Sequence, residues 1–503
     1  MHWFARIVWV GQLGLAMIAC GRGTAILHPV DAGKVDGQAD GRMDTPDGAM
    51  AADAAPDKAR DAAPDTARDA APDVASVADV ADGRGRFLDT PGIDMPIQTG
   101  GNGDAASPEV FPLALPQPGC GGVFSGGSVV GDFSLTKACS PYVIRADLYV
   151  SAGTLVIEAG TTVLFEHATS LTVGGGRLEV RGTADAPVVF DSYRVDPAPG
   201  DWTGLRFLGV PAEPSRIQSA ILRHCGWEMG NGCLWLSNAG PGKKVTFDGV
   251  SIAEAKDHGL VATGNNEFSV MRSTFGVSEG AFAIRLFAPQ FPGIGPGNTF
   301  GAGTIGVDGG RISGDTRWNW PGADVVVTST LTVGDGGKPM RFTIGPGMRL
   351  RFNRGAGLDV DYNEASLSAL GSAEAPVVFS SSAREPAPGD WPGIRIYGGR
   401  GIAGATFSHT IVEFAGGESW GHSERGGIIF QGAPNEAVVT DSLLRYNAGQ
   451  AIRVDCAAMV LPVLTGTRFE GNASDPDGTG SIMDNVGPGP MGSPGCLAST
   501  VSE

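Results

Sequence analysis

APVVFDSYRVDPAPGDWTGLRF occupies Ala186–Phe207, and APVVFSSSAREPAPGDWPGIRI occupies Ala375–Ile396, 189 residues further on. APVVF, PAPGDW and the alternation after them are kept. Apolar residues stand at every second position: Val188/Phe190 and Leu205/Phe207 in the first stretch, Val377/Phe379 and Ile394/Ile396 in the second. Period two sends one set of side chains to one face, which makes each run a half-buried strand. PAPGD marks a turn between strands. Pro187 and Pro376 sit at strand starts, where a missing N–H is tolerated. Trp202 and Trp391 are placed to cover the base of the turn, and Gly204 and Gly393 to let backbones approach closely. The two copies are either two active sites or two stretches of one scaffold.

The repetition extends outward from this pair. GSVVGD (Gly127–Asp132) matches GRISGD (Gly310–Asp315), and YVIRADLYV (142–150) matches VVVTSTLTV (325–333). LVIEAGTTVLF (155–165) answers FTIGPGMRLRF (342–352), and SLTVGGGRLEVRG (170–182) answers GLDVDYNEASLSALG (357–371) with a small insertion. Downstream of PAPGDW, AILRHCG (220–226) pairs with TIVEFAG (410–416), GCLWLSN (232–238) with GGIIFQG (426–432), and VTFDGVSI (245–252) with VVTDSLLR (438–445). The copies cover about 121–303 and 304–486. Within each, short apolar alternations separated by Gly, Pro, Asn or Asp recur, and no stretch has a useful helical period. Strands this short cannot each build a core, but stacked coil on coil they share one. The crossover rule makes a right-handed winding the expected one.

The composition agrees. The 503 residues include 78 glycines and 34 prolines without a strict three-residue period, which excludes collagen and fits short strands with tight turns. The formal charge of −18, with no offsetting basic stripe, argues against nucleic acid or an anionic membrane face as the main partner.

These repeats resemble the right-handed parallel β-helix repeats of bacterial surface proteins, within the broad pectin-lyase-like architecture. The resemblance implies an all-β solenoid of two tandem copies over most of 121–486. At ~22–25 residues per coil and ~4.8 Å per strand, its rod would be roughly 70 Å long. For activity the resemblance leaves lyases, glycosidases, adhesins and other surface lipoproteins open.

The N-terminus reads as a targeting segment. Arg6 precedes the apolar run Ile7–Ile18, too short to span a bilayer and suited to a secretory signal. Met17-Ile18-Ala19-Cys20-Gly21 resembles a bacterial lipobox, so residues 1–20 are expected to be a lipoprotein signal peptide. Cys20 would become the lipidated terminus, anchored to the outer membrane. Residues 21–110 repeat APDxARDA and cannot bury enough apolar surface to order themselves, which predicts a disordered tether on the order of 100 Å or more. The β-helix is then expected over 111–303 and 304–503, with a C-terminal cap in the second span.

Besides Cys20, the cysteines are Cys120, Cys139, Cys225, Cys233, Cys456 and Cys496. An even count in an exported chain predicts disulfides, and pairing of sequence neighbours is the simplest of the 15 arrangements that six cysteines allow. Without a CxxC or CxxH cluster, no metal centre is expected.

No catalytic residue is identified: the tokens NTD, DD, GHG and RIK, HExxH and a P-loop are all absent. Asp257-His258-Gly259 falls short of GHG. Asp201-Trp202 and Asp390-Trp391 read as a turn-capping carboxylate with a covering ring, in preference to a sugar platform. The loops CGWEMGNGC (225–233) and GGESWGHSERGG (416–427) fall at equivalent points of the copies and supply the candidate ligand-binding residues Trp227, Glu228, Glu418, Trp420, His422 and Glu424. Asp475-Pro476-Asp477-Gly478-Thr479-Gly480 resembles a short Ca²⁺ loop, but Val486 stands where the twelfth-position glutamate belongs, so a plain turn is expected and no cofactor. The resulting expectation is a lipid-anchored envelope β-helix with a structural role, or one that binds polysaccharide or an envelope protein; the alternative is a carbohydrate-active enzyme, a polysaccharide lyase or glycoside hydrolase, of the pectin-lyase-like architecture.

Overall fold

The computed structural model describes residues 122–487 except 209–212, 228–229, 238–243, 265, 362–363, 399–403, 419–424, 433, 455–461, 475–477, 479 and 481–484. The leader with Cys20, the tether and Cys120 lie outside the described residues, as do Cys456 and Cys496.

Among the described residues are forty short strands, twenty within Val123–Leu286 and twenty within Thr304–Gly487. They stack in parallel register, each strand generally pairing with those three before and three after it. The fold is therefore a parallel β-helix with three strands per coil. Fourteen strands form one sheet through both copies, and at ~4.8 Å per step that sheet is roughly 60 Å long.

The interior follows from the period-two pattern. Val188, Phe190, Val377 and Phe379 are fully buried in one continuous apolar column. Each such side chain contributes about 1.5–3 kcal/mol through burial. Trp202 stacks on Phe165 at 4.1 Å and Trp391 on Phe352 at 4.4 Å, both nearly coplanar. A ladder of buried asparagines is paired inside the second copy. Asn447 Nδ2 donates to Asn472 Oδ1 (2.9 Å), Asn472 Nδ2 donates to Asn485 Oδ1 (2.9 Å), and Asn447 Oδ1 accepts the Ala415 N–H. These side chains satisfy backbone and side-chain polar atoms that the coil would otherwise bury unpaired.

Single residues in the left-handed region turn the chain between faces. Ser219 (φ +47°) lies between Arg216–Gln218 and Ala220–Arg223. Its counterpart His409 (φ +48°) lies between Gly404–Ser408 and Thr410–Glu413. The conformation costs ~1–2 kcal/mol for a residue with a Cβ and is held by the paired strands on either side.

The copies do not stack in phase. Val188–Ser192 belongs to a seven-stranded sheet, whereas its counterpart Val377–Ser381 belongs to the fourteen-stranded one. At the seam Phe282–Leu286 pairs directly with Thr304–Val307. Between them, residues 287–303 contribute the 3₁₀ segment Ala288–Gly293 and two isolated bridges, Val270↔Ile294 and Thr274↔Thr299. Those bridges continue the other two faces of the first copy. The linker thus supplies two sides of a coil, and the second copy is advanced by one face, a third of a turn.

Candidate functional site at the paired corners

Each PAPGDW turn is built the same way. Asp201 Oδ2 accepts from Ser192 Oγ (2.7 Å) and the Ala198 N–H (2.9 Å), while Trp202 Nε1 donates to the Arg223 carbonyl (2.6 Å). In the second copy Asp390 Oδ2 accepts from Ser381 Oγ (2.6 Å) and the Ala387 N–H (2.9 Å), and Trp391 Nε1 donates to the Glu413 carbonyl (2.9 Å). Both indoles are fully buried, so neither offers a face to a sugar. The repeated sentence is scaffold.

The two loops leave the coil just beyond these tryptophans. Trp202 bridges Cys225 and Trp391 bridges Ala415. Trp227 N donates to the Trp202 carbonyl (3.2 Å), and Gly417 N donates to the Trp391 carbonyl (2.9 Å). The structural counterpart of Trp227 is therefore Gly417; Trp420 enters the second loop three residues later. The loops also open from different edges. The first joins a seven-stranded sheet to the fourteen-stranded sheet, and the second leaves the fourteen-stranded sheet for another. Equivalent in sequence, they do not share a flank. Of the candidate residues, Trp227 and Glu418 are described; Glu228, Trp420, His422 and Glu424 lie outside the described residues.

In the first copy the corner is filled. Trp227 is 38% exposed, with Lys256 Nζ over its ring at 5.1 Å and the His167 ring edge-on at 4.2 Å. A sugar stacking there would have to displace one of them. In the second copy Arg354 stands in place of His167 and Gly417 in place of Trp227; Ala448, whose N–H bonds the Ala415 carbonyl as that of Lys256 bonds Cys225, takes the place of Lys256, one residue off the sequence pairing. The same corner opens into a cleft of about 660 Å³ lined by Arg354, Gly355, Gly389, Glu418, Arg425 and Ala448 among others. Glu418 pairs with Arg425 at 2.8 Å, with both side chains largely in solvent. Gly389 (φ +88°) and Gly416 (φ +92°) occupy a backbone region that disfavours any side chain, which keeps the floor bare.

A polar cluster next to the first corner was not anticipated from the sequence. Asp191 Oδ1 lies 2.6 Å from His224 Nδ1, and Glu254 Oε2 lies 2.6 Å from His224 Nε2. Both imidazole nitrogens are engaged by carboxylates, which leaves none for a metal or a nucleophile. Their counterparts are Ser380, Phe414 and Tyr446: the two rings stack at 5.8 Å, and Ser380 Oγ donates to Glu413 Oε1 at 2.8 Å. Comparing one copy with the other would have flagged these positions, because Asp, His and Glu stand where the repeated frame has Ser, Phe and Tyr.

The remaining polar candidates are structural. His258 Nδ1 accepts the Phe282 N–H (2.9 Å), and burial holds its pKa below the ordinary histidine value. Asp257 Oδ2 accepts the Gly230 N–H and ties the first loop down. Cys225 and Cys233 form a disulfide, with Cα atoms 5.1 Å apart, that closes the same loop. Cys139 is disulfide-bonded as well; its expected partner Cys120 lies outside the described residues. Among the described residues no group of three or more His, Cys, Asp or Glu is arranged to hold a metal ion.

Residues 128–218 match the family model of a pectate-lyase-like beta helix domain. No curated protein and no solved structure matches the chain. The match lies within the first copy and stops short of Trp227, so it speaks for the β-helix scaffold and includes no residue of the second-copy cleft.

Proposed function

We propose that this chain is an exported, lipid-anchored envelope β-helix that binds a glycan or a glycan-bearing envelope partner at the second-copy corner and does no catalysis there. The carrying observation is the contrast between the corners: one frame, filled by Trp227 and Lys256 in the first copy and left open by Gly417 and Ala448 in the second. The lipobox at Cys20 and the long Ala/Asp/Pro-rich tether support an anchored protein held away from its membrane. The engagement of Asp201 and Asp390 in turn capping supports binding over glycoside hydrolysis, which needs two carboxyl groups free to act.

The test is a glycan array and a set of envelope polysaccharides presented to the purified full-length chain and to Ala448→Met. Methionine reproduces the unbranched stem of Lys256 without its charge and fills the cleft. Wild-type binding that falls at least ~10-fold in Ala448→Met is expected, with Trp227→Ala binding as wild type. Absence of any glycan binding, or equal binding by Ala448→Met, defeats the proposal. New reducing ends or an unsaturated product from polyuronates or neutral glycans would replace it with an enzyme reading. Cys20→Ser is expected to move the chain from the membrane pellet to the soluble fraction, and continued pelleting would remove the anchor.

A further inference from the structure

We infer that the second-copy cleft takes a phosphate ester, and that its occupant is a phosphorylated saccharide; this rests on the proposed reading of the cleft as a ligand site. Among the described residues the lining is chiefly glycine backbone and charged side chains. Two arginines, Arg354 and Arg425, are among its lining residues. Arg354 is exposed and makes no hydrogen bond or ion pair among the described residues. Among the described residues Arg425 pairs with Glu418, whose side chain is 83% exposed. An exposed pair of this kind is worth ~0–1 kcal/mol, so a stronger anion displaces Glu418 at little cost.

Asp390, the other carboxylate of the lining, is held on its own turn by Ser381 and the Ala387 N–H. A phosphate presents enough oxygens to engage two arginines through paired N–H donors, whereas a carboxylate is satisfied by one. His167 in place of Arg354, and Trp227 with Lys256 over the corner, remove this arrangement from the first copy.

The experiment is calorimetric titration of the full-length chain with mannose 6-phosphate, mannose, glucuronate and inorganic phosphate. Flotation with vesicles of phosphatidylglycerol and of phosphatidylcholine runs beside it. Mannose 6-phosphate is expected to bind at least ~10-fold more tightly than mannose or glucuronate, and to weaken as salt is raised. Arg354→Ala and Arg425→Ala each lose ~10-fold or more, Arg354→Lys recovers part of the loss, and Glu418→Gln binds a few-fold more tightly. Circular dichroism identical to wild type shows that the variants are folded. Equal binding of mannose and mannose 6-phosphate, with loss in Ala448→Met but not in Arg354→Ala, overturns the phosphate assignment and leaves the glycan site standing. Preference for glucuronate overturns it too. Flotation with phosphatidylglycerol alone, without mannose 6-phosphate binding, replaces the saccharide with a lipid headgroup. No binding of any ligand overturns both readings.

Discussion

Replacing Trp391 with alanine separates the scaffold account of PAPGDW from a sugar-binding one. The ring is fully buried, stacked on Phe352 at 4.4 Å, and its N–H donates to the Glu413 carbonyl at 2.9 Å. Removing so large a buried side chain costs ~3–5 kcal/mol, and the carbonyl left without its donor adds about 1 kcal/mol. The expected loss is ~4–6 kcal/mol, read as a lower denaturation midpoint in urea followed by far-ultraviolet circular dichroism. Trp391→Phe keeps a stacked ring and loses the hydrogen bond, so its loss should be less than half as large. Phe352 is the partner that makes the effect local, and Trp202→Ala, stacked on Phe165, should behave alike. A Trp391→Ala protein within ~0.5 kcal/mol of wild type would refute the reasoning, above all if its glycan binding fell.

Two further outcomes follow from the first-copy corner. Burial lowers the His258 pKa, so the unfolded chain takes up a proton near pH 6.5 that the folded chain refuses until lower pH. Stability from this group is present above about pH 6.5 and is lost as pH falls through the folded value; His258→Asn, which retains an acceptor for the Phe282 N–H, should flatten that slope in urea melts at pH 7 and 5. Reducing Cys225–Cys233, or Cys225→Ala with Cys233→Ala, should cost about 2–3 kcal/mol by freeing a short loop in the unfolded chain, measured by thermal melting with and without reductant.

The core was legible in the sequence because a β-helix coil is written locally. Val188/Phe190 and Val377/Phe379 alternate as a half-buried strand must, and all four are inside. Asp201 and Asp390 sat where a turn-capping carboxylate belongs, and both cap. The rotation between copies was not legible, because the same apolar alternation serves any of the three faces. What decides the face is whether residues 287–303 cover one side of a coil or two, a matter of long-range pairing. The site was half legible. Composition pointed to the two loops, but tryptophan content paired Trp227 with Trp420, whereas the backbone bonds to Trp202 and Trp391 make Gly417 the counterpart. Asp191, His224 and Glu254 come from successive coils, 33 and 30 residues apart, a spacing that no short motif records.

The offset at the seam changes what duplication did for this molecule. Two in-phase copies would have set identical corners in a row, a comb for one long polymer running down the rod. Turned by a face, they look out in separate directions, and a straight strand resting in one cannot reach the other. The indole of Trp227 on one corner therefore leaves the surroundings of the other unaltered.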